Sequence, residues 1–204
     1  MPDAPEPAPL PRRRLLSRLA LPAGLGLIGL ASGLAPGLAA AARAPERAVA
    51  FHHHHTGERL RAVYFADGAY RPEGLREIGR VLRDWRTDET VAIDPRLLDI
   101  VHLLQRRLGR TAPLEVICGY RSPATNAMLR RKSRAVAKDS LHMHGMAIDL
   151  GFAGRELAAA HQAALALAAG GVGYYPRDGF IHVDSGAVRQ WGQGTTRRSR
   201  RRRA

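Results

Sequence analysis

The sequence predicts a single α+β domain in which a small antiparallel sheet is flanked by helices, and three observations lead there. Strand-like and helix-like periods are mixed along the chain with no internal repeat. The length, 204 residues, is about one domain with room for a tail at each end. Hydrophobic residues make up 45% and charged residues 25%, ordinary for a globular protein, which excludes a disordered or collagen-like chain. Only one stretch is apolar enough to enter a bilayer, which excludes a multi-span membrane protein. Aromatics are few at 5%, so the core is expected from Leu, Val, Ile and Ala.

The elements follow in order. Residues 59–66 alternate and then meet Asp67-Gly68, a hairpin turn. Leu75, Ile78, Val81, Leu82 and Trp85 form one apolar stripe, predicting a helix over 72–85 with Pro72 at its start. Asp94-Pro95 opens a second helix as N-cap and first-turn proline, heavily loaded with leucines and stopped by Gly109. A strand is expected at 114–118, a helix at 123–133 after Ser122, a loop at 134–141 and a strand at 147–150. An Ala-rich helix over 154–169 ends at Gly170-Gly171. Strands at 173–175 and 180–184 flank a turn at 176–179.

The formal net charge of +14 would suggest a nucleic-acid binder, but its placement argues otherwise. Six arginines fall in the last eight residues, and residues 1–43 carry a local +3, leaving +5 for residues 44–196. No basic patch with interleaved aromatics occurs in that middle, so no nucleic-acid partner is expected. Residues 12–18 (Arg-Arg-Arg-Leu-Leu-Ser-Arg) precede a Leu/Ala/Gly stretch without charge until Arg43. This reads as a twin-arginine export signal over residues 1–43, with small residues for cleavage near Ala40–Ala42 and an uncleaved anchor as the alternative. The expected location is the periplasm or cell envelope. Residues 197–204 are expected to be a disordered tail, since like charges repel and bury nothing, with weak contact to anionic envelope polymers or lipids as its outlet. Cys118 is the one cysteine and makes no intramolecular disulfide; it is expected as a small buried strand residue.

Chemistry-bearing residues concentrate in Ser140-Leu-His142-Met-His144-Gly145-Met-Ala147-Ile-Asp149, in Phe180-Ile-His182-Val-Asp184 and in Gly119-Tyr-Arg121-Ser. Zinc favours imidazole nitrogen and carboxylate oxygen, and a catalytic zinc takes three protein ligands and leaves one position open. His142, Asp149 and His182 would supply two nitrogens and one oxygen, with Gly145 turning the backbone between the first two. Spacing alone leaves a buried structural His–Asp pair as the alternative. No obligate protein partner is indicated.

Ser140-x-His142-x-x-Gly145-x-Ala147-x-Asp149 resembles the first zinc motif of the D-Ala-D-Ala metallopeptidase superfamily, which includes VanX-like dipeptidases and the hedgehog domain. Asp84-Trp-Arg-Thr, Asp94-Pro-Arg-Leu-Leu-Asp, Gly119-Tyr-Arg-Ser-Pro-Ala-Thr-Asn, Gly171-Val-Gly-Tyr-Tyr-Pro and Phe180-Ile-His-Val-Asp, in this order, are similar to the YcbK/MepK-like murein endopeptidases. The likeness covers roughly residues 55–191. It implies a hedgehog/DD-peptidase-like zinc peptidase fold over 44–196, Zn2+ held by His142, Asp149 and His182, and hydrolysis of amide bonds in peptidoglycan stem peptides, most readily the cross-links. Arg121 matches the arginine that binds a carboxylate or polarises a carbonyl in related enzymes. A D-Ala-D-Ala carboxypeptidase and a zinc-containing wall-binding module without turnover are the alternatives.

For the general base two carboxylates are available. Asp184 shares a strand face with His182 and is preferred; Asp178, in the preceding turn, is second. Either could instead orient His182 through its other nitrogen. His144 is expected to be solvated. The run His52–His55 is expected to precede the core and to bind metal only adventitiously at the domain edge.

Overall fold

The computed structural model of the protein describes residues 45–134 and 136–192. The export segment expected over 1–43 and the tail over 197–204 lie outside the described residues. In chain order the elements are β1 (Arg47–His53), β2 (Arg59–Ala66), β3 (Ala69–Tyr70), α1 (Pro72–Val81), α2 (Pro95–Arg107), β4 (Leu114–Cys118) and α3 (Pro123–Lys132). A 3-10 turn (Leu141–His144) follows, then β5 (Ala147–Gly151), α4 (Arg155–Leu167), β6 (Gly171–Tyr175), β7 (Phe180–Asp184) and β8 (Arg189–Gly192). Among the described residues no helix is long and apolar enough to cross a membrane.

The expected turn signals act where they stand. Asp67 and Gly68 both take positive φ, 52° and 78°, as a two-residue hairpin loop requires, and join β2 to β3. Asp94 caps α2 by accepting from the Arg96 N–H at 3.0 Å, and Ser122 caps α3 by accepting from the Thr125 N–H at 3.2 Å.

The sheet differs from the small antiparallel one expected. It has eight strands in the order β3-β2-β1-β4-β5-β7-β6-β8, and it is mixed, because β1 runs parallel to β4 and β6 runs parallel to β8. Two strands missing from the sequence reading, β1 and β8, create both parallel pairs. Parallel neighbours are joined by long crossovers, so no local turn signal announces them.

The reading of the histidine run is corrected with β1. His52 and His53 belong to the strand rather than preceding the core, and Val49, Phe51 and His53 alternate onto its buried side. His53 is fully buried, and its Nδ1 accepts from the backbone N–H groups of His55 and Thr56 at 3.3 and 3.4 Å. His52 and His54 project the other way and share the Glu115 carboxylate at 2.9 and 2.8 Å.

The helix predicted over 72–85 ends at Val81. The backbone of Asp84 pairs with Glu89 instead of the preceding turn, and its buried carboxylate accepts from the Ser122 and Arg86 N–H groups at 2.9 and 3.0 Å. Trp85 keeps helical spacing in sequence, yet it sits in this loop, stacked on His55 at 4.3 Å and with the Arg86 guanidinium 4.0 Å from its ring centre.

The core lies between the sheet and the helices. Leu114, Val116, Ile148, Leu150, Val172, Ile181 and Val183 pack with Leu97, Leu98, Val101, Leu104, Leu157, Ala160 and Ala164 of α2 and α4. Each fully buried leucine or isoleucine contributes about 2 kcal/mol. With β5 and β7 anchored through these alternate positions, the intervening Asp149 and His182 are delivered to the other face.

Candidate metal centre

Cross-strand register aligns one row of residues on that face. Asp149 opposes His182, His182 opposes Gly173, and Gly173 opposes Trp191, across β5, β7, β6 and β8. On the other side Cys118 opposes Asp149 although Val116 opposes Leu150. A β-bulge between Val116 and Cys118 absorbs the extra residue and turns Cys118 from the core side to the site side.

His142 reaches the row from the 3-10 turn. Gly145 ends that turn at φ 65°, and a Cβ there would lie 2.4 Å from the Ala92 carbonyl oxygen. The motif glycine therefore answers both to a left-handed backbone and to close packing.

Three donor atoms converge. His142 Nε2 lies 3.1 Å from His182 Nδ1 and 3.3 Å from Asp149 Oδ1, and His182 Nδ1 lies 2.9 Å from Asp149 Oδ1. All three residues are buried. Each imidazole is held by its other nitrogen. His142 Nδ1–H donates to the Gly119 carbonyl oxygen at 2.7 Å, and His182 Nε2 meets Asp184 Oδ2 at 3.0 Å. Burial by itself would raise the Asp149 carboxyl, but His142 and His182 outweigh it and hold the group well below the usual carboxylate range. In turn Asp149, with Cys118 beside it, outweighs the burial of His142 and raises that imidazole to about 10. The space between the three groups thus favours positive charge.

Cys118 stands close by. Its Sγ falls within 4.8 Å of donor atoms of His142 and Asp149, a group of three that could itself hold a metal ion. The set with His182 is the tighter, and both of its rings are anchored from behind. Cys118 Sγ instead accepts from Arg121 Nη2 at 3.6 Å.

Arg121 adjoins the centre with Nη2 3.8 Å from Asp149 Oδ2, while Nη1 donates to Asn126 Oδ1 at 3.4 Å. Its Nε is buried without a hydrogen-bond partner. Asp184 is fully buried behind His182. Besides His182 it accepts from the Gly171 and Gly186 N–H groups and from Arg189 Nη1 and Nη2, at 2.7–3.1 Å. Asp178 lies in the exposed turn after β6 and is not among the residues lining the cleft. His144 is half-exposed and bonds the exposed Asp139 at 2.9 Å.

A cleft of about 330 Å³ opens over the centre, lined by Arg121, His142, Asp149 and His182 on its floor and by Tyr175, Phe180 and Trp191. Sequence reasoning missed Asn126, Arg189 and Trp191 as parts of this site. Asn126 Nδ2 donates to the Ala137 and Lys138 carbonyls at 3.1 and 3.2 Å and so fixes the loop that forms one rim. The asparagine ends the Gly119–Asn126 motif, whereas nothing local marked Trp191, whose place depends on β8.

Two imidazoles and a carboxylate, each imidazole fixed through its second nitrogen, are the donor types that an open three-ligand centre of a metal-dependent hydrolase would need, and the cluster of Cys118, His142 and Asp149 could hold a metal ion. A model of a peptidase M15 family, described as peptidoglycan L,D-endopeptidase MepK, matches residues 40–191, and the chain belongs to this family. A Haemophilus influenzae protein named probable peptidoglycan L,D-endopeptidase MepK is 44% identical over 170 residues, covering 82% of this chain and 91% of its own length. The Escherichia coli K12 and Shigella flexneri proteins named peptidoglycan L,D-endopeptidase MepK are each 41% identical over 171 residues, covering 82% of this chain and 94% of their own. No solved structure matches the chain significantly.

Proposed function

We propose that the protein is a zinc-dependent peptidase that hydrolyses amide bonds in peptidoglycan stem peptides, cleaving the cross-links between them. The observation that carries this is the convergence of His142 Nε2, His182 Nδ1 and Asp149 Oδ1 with both rings fixed from behind. Tetrahedral zinc with ligands at about 2.0–2.1 Å sets neighbouring donors about 3.3 Å apart. The three separations here, 2.9–3.3 Å, fit such a triangle. Zinc bound there would polarise the scissile carbonyl and lower the pKa of its water.

The remaining roles belong to the chain. Arg121, a fixed cation at the edge of the ligand set, holds a substrate carboxylate or carbonyl through its planar fork of donors. Asp184 is assigned to positioning His182 rather than to proton transfer. Its oxygens are engaged by His182, Arg189 and two backbone N–H groups, and it lies behind the ring rather than on the cleft. Asp178 is given no catalytic role, because it stands outside the cleft lining. The relatives' shared name supports an L,D peptide bond as the target. Residues 1–43 are read as a twin-arginine signal that places the enzyme in the periplasm or envelope, on the strength of Arg12–Arg14 and the weakly apolar stretch after them.

Incubating the purified protein with cross-linked peptidoglycan, with and without zinc, and following released peptides by mass spectrometry tests the reading. Zinc-dependent loss of dimeric stem peptides, absent in His142→Ala, is expected. Loss of terminal D-Ala with dimers intact would make it a carboxypeptidase, and zinc binding without cleavage would make it a wall-binding module.

A further inference from the structure

The row across the sheet continues past the ligands to Gly173 and Trp191, and the metal centre alone gives no reason for these two residues. Gly173 sits between His182 and Trp191 in register. A Cβ on it would lie 2.9 Å from the Trp191 ring, 2.9 Å from the Tyr175 ring and 3.0 Å from His182 Cβ. The missing side chain is a slot that the indole and the phenol fill. Trp191 thereby lies 5.1 Å from the His182 ring centre, and its Nε1–H donates to the Tyr175 hydroxyl at 2.8 Å.

Donor counting then gives the hydroxyl a direction. Indole nitrogen can only donate, so the Tyr175 oxygen accepts and its own proton must go to another acceptor. Among the described residues the Tyr175 hydroxyl has no hydrogen-bond partner besides the Trp191 indole, while the backbone carbonyl of Tyr175 accepts from the Asp178 N–H. The ring is pinned by stacking on Phe180 with centres 4.5 Å apart, and Tyr175, Phe180 and Trp191 all line the cleft. Strand order places Tyr175 and Trp191, on β6 and β8, to one side of the ligand strands β5 and β7, whereas Arg121, following β4, stands on the other side. The cleft therefore has a donor group on each flank of the ligand set, the Arg121 guanidinium on one and the Tyr175 hydroxyl on the other.

We propose that Tyr175 is a substrate-contacting residue whose hydroxyl donates a hydrogen bond to a carbonyl or carboxylate oxygen of the bound peptide, and that Trp191 is the positioning residue that aims it. This deepens the peptidase reading and rests on it. A peptide lying across the centre would be held between the Arg121 guanidinium and the Tyr175 hydroxyl, with Gly173 making room for the rings that carry the hydroxyl.

Tyr175→Phe keeps the ring and its stack, Trp191→Phe keeps an aromatic wall without the N–H, and the double variant completes a cycle. Kinetics on a purified cross-linked muropeptide dimer are measured for all four proteins, together with zinc stoichiometry, thermal midpoint and equilibrium binding of the dimer to the metal-free proteins. Tyr175→Phe is expected to lower kcat/KM about tenfold with zinc content and midpoint unchanged. Trp191→Phe is expected to lose less, and the double variant to be no worse than Tyr175→Phe. Wild-type kcat/KM in Tyr175→Phe, or additive losses in the double variant, would overturn the proposal. If the wild type does not cleave, the peptidase reading fails by itself. Binding then decides this inference, since dimer affinity equal in wild type and Tyr175→Phe, or no binding by either, overturns it.

Discussion

His182 Nε2 lies 3.0 Å from Asp184 Oδ2, and this contact decides which face of the imidazole the centre receives. With Nε2 held, Nδ1 is the nitrogen that meets Asp149 and His142. The carboxylate is itself fixed by Arg189 and by the N–H groups of Gly171 and Gly186, so the ring inherits the rigidity of three chain segments.

Asp184→Ala is accordingly expected to weaken zinc binding by about 10–100-fold, the usual effect of removing a partner behind a ligand. Competition against a chromophoric chelator measures it. Wild-type affinity in Asp184→Asn combined with complete loss of turnover would return Asp184 to the role of proton carrier.

Arg121→Lys keeps the charge and removes the fork. It is expected to retain full zinc content while kcat/KM on the cross-linked dimer falls about 100-fold, because a single ammonium cannot reproduce two parallel bonds to a substrate oxygen pair. Steady-state kinetics beside metal analysis separates this outcome from damage to the ligand set.

Gly145→Ala places a side chain on a left-handed backbone and 2.4 Å from the Ala92 oxygen. A loss of about 2–4 kcal/mol is expected in urea unfolding, from backbone strain and overpacking together. Gly57→Ala has the same sign of φ but open space around it, and is expected to lose only about 1 kcal/mol.

Asp84 supplies a pH test away from the ligands. Burial raises its carboxyl, but hydrogen bonds from the Thr125 and Ser122 side chains and from backbone N–H groups prevail and hold it below its ordinary value. A carboxyl depressed on folding stabilises the folded state above its unfolded pKa, and that contribution disappears as pH falls through the folded one. Stability is therefore expected to decline as pH drops below about 4. Asp84→Asn is expected to be less stable at pH 7 and flatter through this acid range, as denaturant titrations at several pH values would register.

Much of the architecture could be read locally. The strands at 114–118 and 180–184, the Asp67-Gly68 turn and the Asp94-Pro95 and Ser122 helix starts depend on near neighbours, and the structure has them where the spacing put them. The residues that meet at the candidate centre could be named for a related reason. A 3-10 turn, a glycine with φ 65° and a strand carry His142 to Asp149 within eight residues, and strand parity puts His182 and Asp184 on one face.

Other features had no local cause. Trp85 has the spacing of a helical stripe, but Asp84 leaves the helix to hold Ser122, 38 residues on. The histidines of β1 hid the alternation of Val49, Phe51 and His53, and β8 is a strand only because β6 lies beside it.

The sequence by itself determined the α+β class, most element positions and the identity of the candidate ligands, because capping, turn chemistry and period-two alternation act over a few residues. The tertiary structure alone decided that the sheet is mixed, that a bulge swings Cys118 to the site, that Asp184 stands behind His182 and that Trp191 reaches Tyr175 across Gly173. These are consequences of register between strands distant in sequence, and register is set by how the whole core packs.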